Sequence, residues 1–243
     1  MKIVAVIPAR YESTRLPGKP LAMIAGKTMI QMVYEAVKQT NLFDEVIVAT
    51  DDERILSEVE RFSGVACTTS SECRSGTDRV AEALKDKDFG IVVNVQGDEP
   101  FITKEPLETL ISSFRDPSVM VSSLMTEITD KTDVNNPNCV KVVCDNKSDA
   151  LYFSRSALPY SRGEAVCKQY RHIGVYAFRK EMLYTFVRLQ QTPLEQIEKL
   201  EQLRLLENGI KIRMVETDYQ GIGIDTEEDL DKANESLDHN RFG

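Results

Sequence analysis

No stretch of this chain approaches the ~20 apolar residues that a membrane-spanning helix requires. The apolar run after Lys2 is too short for a secretory leader and reads as a strand. There is no surplus of lysine and arginine. The net charge of −9 has the wrong sign for gripping a nucleic-acid backbone. No Cys-x-x-Cys pair occurs among the five cysteines, Cys67, Cys73, Cys139, Cys144 and Cys167. An odd count without paired spacing argues for reduced thiols, not staples or metal knuckles. Internal repeats, low-complexity tracts and linkers are also missing. These absences disfavour membrane, nucleic-acid-binding and disulfide-framed classes, and the expected location is the cytoplasm.

What is present is ordinary for a globular enzyme. At 243 residues, 42% hydrophobic and 28% charged, the chain is long enough to bury a sizeable core. Apolar runs at 3–7, 45–50, 65–68 and 90–95 read as buried strands. Between them lie helical stripes: Ile30, Val33, Tyr34 and Val37; Ile55, Val59 and Phe62; Val80 and Leu84; then Leu107, Leu110, Ile111 and Phe114. This alternation predicts an α/β fold, a mostly parallel sheet with helices on both faces.

The pattern then changes. A long strand at 119–128 is followed by a polar loop at 130–138, a hairpin at 139–144 and 150–153, and a strand at 173–178. We read 130–178 as a β-rich lobe within a single domain, 1–243. Thr192, Pro193 and Glu195 predict the start of a helix running to Asn208, with Gly209 closing it. In that helix Ile197, Glu201 and Leu205 share one face, so Glu201 interrupts an apolar stripe. A strand at 211–217 and a helix at 227–237 complete the chain.

The candidate chemistry centres on the loop after the first strand, Ile7-Pro8-Ala9-Arg10-Tyr11-Glu12-Ser13-Thr14-Arg15-Leu16-Pro17-Gly18-Lys19-Pro20-Leu21. Arg10, Arg15 and Lys19 sit on a backbone stiffened by prolines, and Gly18 permits close approach to a ligand. At the carboxyl end of a strand in an open α/β sheet, such a loop suits a polyphosphate; a basic surface loop is the plain alternative. Gly26-Lys27-Thr28 resembles the end of a P-loop, but Leu21 stands where its upstream glycine is required. Gly221-Ile222-Gly223 lacks the third glycine of a dinucleotide fingerprint.

This loop resembles the signature of the 3-deoxy-manno-octulosonate (Kdo) cytidylyltransferases. The resemblance continues through Ser75-Gly76-Thr77-Asp78-Arg79, Asn94-Val95-Gln96-Gly97-Asp98-Glu99-Pro100, Ala150-Leu151-Tyr152-Phe153-Ser154-Arg155, Arg171-His172-Ile173-Gly174-Val175-Tyr176, Leu200-Glu201-Gln202-Leu203-Arg204 and Gly223-Ile224-Asp225-Thr226. In order, these blocks span nearly the whole chain. The resemblance implies a Rossmann-like nucleotide-diphospho-sugar transferase sheet, CTP and Kdo as substrates, CMP-Kdo for lipopolysaccharide biosynthesis, and a homodimer formed through the lobe.

Asp98 and Asp225 both follow apolar runs. Two carboxylates ~4 Å apart would repel by ~4 kcal/mol at an effective dielectric of ~20, so convergence requires a cation. Mg²⁺ suits both carboxylates and nucleotide phosphates; alternatively Asp225 caps a helix and Asp98 stabilises a turn. The resemblance favours metal. It also implies that Pro8, Ala9, Arg10, Arg15, Lys19, Arg74, Ser75, Gly76 and Gln96 bind the nucleotide, with Arg10, Lys19, Asp98 and Asp225 carrying catalysis. Ser75 to Thr77 otherwise read as a capped helix start, with Thr77 as the cap. Arg155, His172, Tyr176, Glu201 and Gln202 are implied to surround the sugar. Otherwise His172 is a hydrogen-bonded strand-end residue, and Glu201 an ion-pair partner of Arg155 or Arg204. Within the class, the Ser75 to Arg79 run favours Kdo over sialic acids, with an amino-substituted Kdo the nearest alternative. A nucleotide-binding regulatory domain without turnover is the alternative class.

Overall fold

The computed structural model describes residues 1–12, 16–162, 167–221, 223–224 and 226–239, the last four as backbone only. In chain order the elements are β1 (Ile3–Ala9), a 3-10 turn (Lys19–Leu21), β2 (Met23–Ile24), β3 (Lys27–Thr28), α1 (Met29–Gln39), β4 (Glu45–Thr50), α2 (Glu53–Arg61), β5 (Ala66–Thr68), α3 (Gly76–Ala83), β6 (Ile91–Asn94) and α4 (Lys104–Ser112). They continue as β7 (Val121–Glu127), α5 (Lys131–Asn135), β8 (Lys141–Cys144), β9 (Ala150–Ser154), β10 (Tyr170–Arg179), α6 (Lys180–Phe186), α7 (Pro193–Glu198), α8 (Leu203–Glu207), β11 (Arg213–Glu216) and α9 (Glu227–His239). The chain forms two compact units, residues 1–104 with 221–243, and residues 105–220.

In the first unit, β6, β1, β4 and β5 lie side by side and parallel, as the alternation predicts. Val4, Ala5, Val6 and Ile7 are buried at the centre of this sheet. Each helix begins at a side-chain oxygen. Thr28 accepts from the Gln31 N–H at the start of α1, and Asp52 accepts from the Arg54 N–H at the start of α2. The helix α9 belongs to this unit too. Asn234 accepts from the Ala25 N–H at 2.9 Å and donates to the Met23 carbonyl at 3.2 Å, fixing α9 to the β2–β3 hairpin. Leu16, Ile24, Met29, Ile224 and Ala233 close one apolar cluster beneath it.

In the second unit, β11 runs parallel to β7, β7 antiparallel to β10, and β8 pairs antiparallel with both β10 and β9. The predicted hairpin is β8–β9. The register of β10 against β7 shifts between Ile173 and Tyr176, a bulge.

Three expectations require correction. The loop at 130–138 contains the short helix α5, because Asp130 accepts from the Thr132 N–H at 2.8 Å and caps it. The helix from Pro193 to Asn208 is broken in two. Lys199 adopts φ 55°, and the reversal buries Leu200. Ile197, Glu201 and Leu205 therefore share no helical face: Ile197 is 77% exposed, Leu205 is buried, and Glu201 lies in the intervening turn. The strand expected at 173–178 begins earlier, at Tyr170. Among the described residues no helix is long and apolar enough to cross a membrane.

Candidate active site

Three backbone segments meet in the first unit. A Cβ placed on Gly76 would lie 3.4 Å from Pro8 Cγ and 3.9 Å from Gln96 Oε1, and one on Gly97 would lie 3.2 Å from the Pro8 carbonyl oxygen. The end of β1, the start of α3 and the turn after β6 thus lie in contact, most tightly where Gly97 passes the Pro8 carbonyl. Ala9 is buried at the strand end. Arg10 and Arg74 are exposed, and neither forms an ion pair among the described residues. Two unpaired guanidinium groups beside exposed loop backbone suit anionic oxygens.

The loop carrying Lys19 is closed at its neck. The Gly18 N–H donates to the Tyr11 carbonyl at 3.2 Å, and Gly18 has φ 68°, a conformation that glycine adopts without strain. Tyr11 is held from outside by Arg54, whose guanidinium carbon lies 3.2 Å from the ring centroid. Arg54 in turn donates twice to Asp52, at 2.9 and 2.6 Å. Lys19 Nζ donates to Asp98 Oδ2 at 2.6 Å.

Arg15 and Asp225 lie outside the described residues. The segment approaching position 225 is nonetheless tied to Asp98, since the Ile224 N–H donates to the Asp98 carbonyl at 3.1 Å. The start of α3 is capped by Ser75, not Thr77. Ser75 Oγ accepts from the Asp78 N–H at 3.1 Å, and the Asp78 carboxylate accepts from the Ser75 N–H at 3.0 Å. Thr77 is buried and accepts from Asn94 Nδ2 at 3.4 Å, while Asn94 Oδ1 accepts from Gln96 Nε2 at 3.1 Å. This chain orients the Gln96 amide. Sequence reasoning missed Asn94 as a functional residue, although a polar residue ending a buried apolar run was its signal. Cys73 donates to Glu82 Oε2 at 2.9 Å. Burial, that hydrogen bond and the Glu82 charge push its thiol up to about 12, which rules it out as a nucleophile near neutral pH.

In the second unit, His172 sits among Phe153, Tyr176 and Ser123. The ring centroids lie 5.1 and 5.2 Å from Phe153 and Tyr176. Burial pushes the imidazole down to about 3, so it is neutral near pH 7. Ser123 Oγ lies 2.8 Å from His172 Nε2 and donates to the Val175 carbonyl at 2.9 Å. The same hydroxyl lies 3.3 Å from the Ile173 carbonyl, and the neutral ring keeps one nitrogen as an acceptor. The β10 bulge brings His172 and Tyr176 together. Burial, followed by the charge of Glu201, raises the Tyr176 phenol well above its ordinary range, so Glu201 is close by. Gln202 is 4% exposed, and its Nε2 has no hydrogen bond among the described residues.

Arg155 leaves β9 with its backbone and side chain held. Its N–H donates to Glu198 Oε2 at 3.0 Å, its Nε to the Glu198 carbonyl at 2.8 Å and its Nη1 to the Pro137 carbonyl at 2.9 Å. Of the two partners offered for Glu201 from the sequence, Arg155 and Arg204, Arg204 is buried in a pair with Glu195. All five implied sugar residues lie in this unit. A separate cavity of about 260 Å³, lined by Asp116, Lys147, Asp149, Lys211 and Arg213, contains none of them.

Residues 4–212 match a family profile described as Cytidylyltransferase. A 3-deoxy-manno-octulosonate cytidylyltransferase of Flavobacterium johnsoniae is 52% identical over 241 residues, covering 98% of this chain and 99% of the relative. A protein of the same name from Fusobacterium nucleatum is 46% identical over 235 residues, covering 96% of each. Among solved structures, a CMP:2-keto-3-deoxy-manno-octonic acid synthetase complexed with CTP is 44% identical and superposes with a TM-score of 0.94, covering 99% of this chain and 100% of that one. A 4-diphosphocytidyl-2C-methyl-D-erythritol synthase from Anaerococcus prevotii is 20% identical at a TM-score of 0.65 and shares the fold.

Proposed function

The chain belongs to the cytidylyltransferase family, in its 3-deoxy-manno-octulosonate branch, and we propose that it catalyses CTP + Kdo → CMP-Kdo + diphosphate. The product is the activated sugar for lipopolysaccharide synthesis. The observation that carries the reading is the meeting of Pro8, Gly76 and Gln96 in the unit that also pairs Lys19 with Asp98.

The anomeric hydroxyl of the sugar attacks the α-phosphorus of CTP, and diphosphate leaves with the electrons of the broken P–O bond. Such transfer depends on positioning and charge stabilisation more than on covalent help. Arg10 and Lys19, with Arg15, hold the phosphates and stabilise charge growing on the leaving group. The start of α3, with Arg74, Ser75 and Gly76, and the oriented Gln96 amide hold the nucleoside end. Arg155 meets the sugar carboxylate. The neutral His172 ring and the Glu201 carboxylate accept from sugar hydroxyls, Gln202 Nε2 donates to one, and Tyr176 packs beside them.

Asp98 and Asp225 would hold Mg²⁺. Asp98 fits a hard cation: its carboxylate already takes an ammonium at 2.6 Å, and oxygen donors are what such an ion prefers. When bound, the ion neutralises phosphate charge and lowers the pKa of a coordinated hydroxyl.

The working form is a homodimer in the cytoplasm. Leu151, Tyr160, Leu194 and Ile197 are 61, 86, 37 and 77% exposed in the second unit, and a second copy of the chain is the partner that covers them. Membrane and nucleic acid are not partners for a chain of net charge −9. The test of the activity is a diphosphate-release assay crossing four nucleotides with a panel of sugar acids. Release with CTP that requires Kdo supports it. Release without sugar, or preference for another nucleotide or acid, overturns it.

A further inference from the structure

Lys141 is fully buried in β8, and its ammonium is hydrogen-bonded to no carboxylate among the described residues. Its three donors go to main-chain carbonyls instead: Asn136 at 2.8 Å, Cys139 at 2.6 Å and Arg155 at 2.6 Å. Burying a cation this way is costly, and burial depresses the lysine's pKa. An apolar side chain of similar length would fill the same space, so packing does not account for the charge.

The three carbonyls do. Asn136 and Cys139 bracket Pro137, and the Pro137 carbonyl accepts from Arg155 Nη1 at 2.9 Å. The third carbonyl belongs to Arg155 itself. One ammonium therefore fixes both the backbone of Arg155 and the turn that receives its guanidinium. Glu198 completes the frame from the end of α7. Its carboxylate accepts from Ser154 Oγ at 2.6 Å and from the Arg155 N–H at 3.0 Å, while its carbonyl takes Arg155 Nε at 2.8 Å. With Nε and Nη1 on carbonyls, Arg155 Nη2 has no hydrogen bond among the described residues.

We infer that Lys141 and Glu198 are positioning residues that hold the Arg155 guanidinium in the pose that reads the carboxylate of the sugar acid. The inference rests on the proposed role of Arg155. Geometry errors of about 1 Å cost roughly a hundredfold in well-oriented sites, so loss of the frame shows up in sugar recognition specifically.

The experiment is a kinetic cycle on the full chain. KM for Kdo and for CTP are measured separately in wild type, Lys141→Met, Glu198→Gln, Arg155→Ala and the Lys141→Met/Arg155→Ala double variant. Each is also assayed with the Kdo analogue whose carboxylate is reduced to an alcohol. Lys141→Met is expected to raise the KM for Kdo about tenfold or more and leave the KM for CTP unchanged. It is also expected to narrow the preference for Kdo over the alcohol and to add nothing in the Arg155→Ala background. An unchanged Kdo KM, an equal rise for CTP, or the same added factor in the Arg155→Ala background overturns the inference. If Lys141→Met does not fold, Glu198→Gln and Ser154→Ala carry the same expectations. Wild-type KM for Kdo in Arg155→Ala overturns the role of Arg155 itself; a large effect there with none from the frame variants overturns only the positioning.

Discussion

Lys19 Nζ donates to Asp98 Oδ2 at 2.6 Å across 79 positions of sequence. The pair joins the basic loop after β1 to the turn after β6, with the two side chains 14 and 29% exposed. Each neutralises the other. In the proposed reaction both partners would be re-used: Lys19 would pair with phosphate oxygens, and Asp98 would be free to hold a divalent ion.

Lys19→Ala is therefore expected to lower kcat by about 10²–10³, the usual loss when one charge-stabilising donor is removed. Stability should change little, since partly exposed ion pairs contribute ~1 kcal/mol or less. Diphosphate release and thermal unfolding read the two effects separately. Near-normal turnover would remove Lys19 from the phosphates.

Chelation is expected to abolish turnover, and Asp98→Asn and Asp225→Asn are each expected to raise the Mg²⁺ concentration needed for half-maximal rate. A metal titration of both variants is the check. If both curves overlay the wild-type curve, these residues do not hold the ion.

Buried His172 stays neutral in mild acid and makes the fold sensitive to it. In the unfolded chain its imidazole titrates near ~6.5, whereas in the fold burial pushes it down to about 3. Between those values the unfolded chain takes up a proton that the folded chain refuses. Stability from this group is thus complete above ~6.5 and declines as pH falls toward about 3. Imidazole resonances in NMR should show a neutral ring at pH 5. A folded-state titration near the ordinary histidine range would contradict this environment.

Gly18→Ala tests the neck of the phosphate loop. The residue sits at φ 68°, and a Cβ there would lie 3.2 Å from the Tyr11 hydroxyl. A left-handed alanine costs about 1–2 kcal/mol. Because the neck sets where Lys19 begins, KM for CTP should rise along with the drop in Tm. An unfolding midpoint equal to wild type would show that the neck bears no strain.

Ile197→Asp is expected to shift the chain from dimer toward monomer in sedimentation velocity, because it puts a charge on an exposed apolar side chain that a second copy is proposed to cover. A wild-type chain that is already monomeric would defeat the proposed assembly.

The first unit was legible because short-range signals agree with the sheet. Asp52 announces a helix start, and the apolar runs 3–7 and 45–50 become β1 and β4 nearly residue for residue. Strand position pointed to the loop after β1 as a candidate phosphate site, and the resemblance supplied the residues around α3 and Gln96. The second unit was less legible. Its helix after Thr192 breaks at a lysine, a residue type with no turn signature. The break removed the stripe on which Glu201 had been placed, and only the blockwise resemblance put Glu201 and Gln202 near His172. Lys141 and Glu198 were invisible for a different reason. Their partners are main-chain carbonyls and N–H groups, which leave no trace in side-chain spacing.

The left-handed turn at Lys199 has an evolutionary corollary. It sets where Glu201 and Gln202 stand, yet Lys199 itself is exposed and is assigned no contact with substrate. Replacing it with glycine would ease the backbone, and lengthening the turn by one residue would swing both side chains together. Drift at this surface position would thus move both side chains together while leaving the residues of the first unit unaltered.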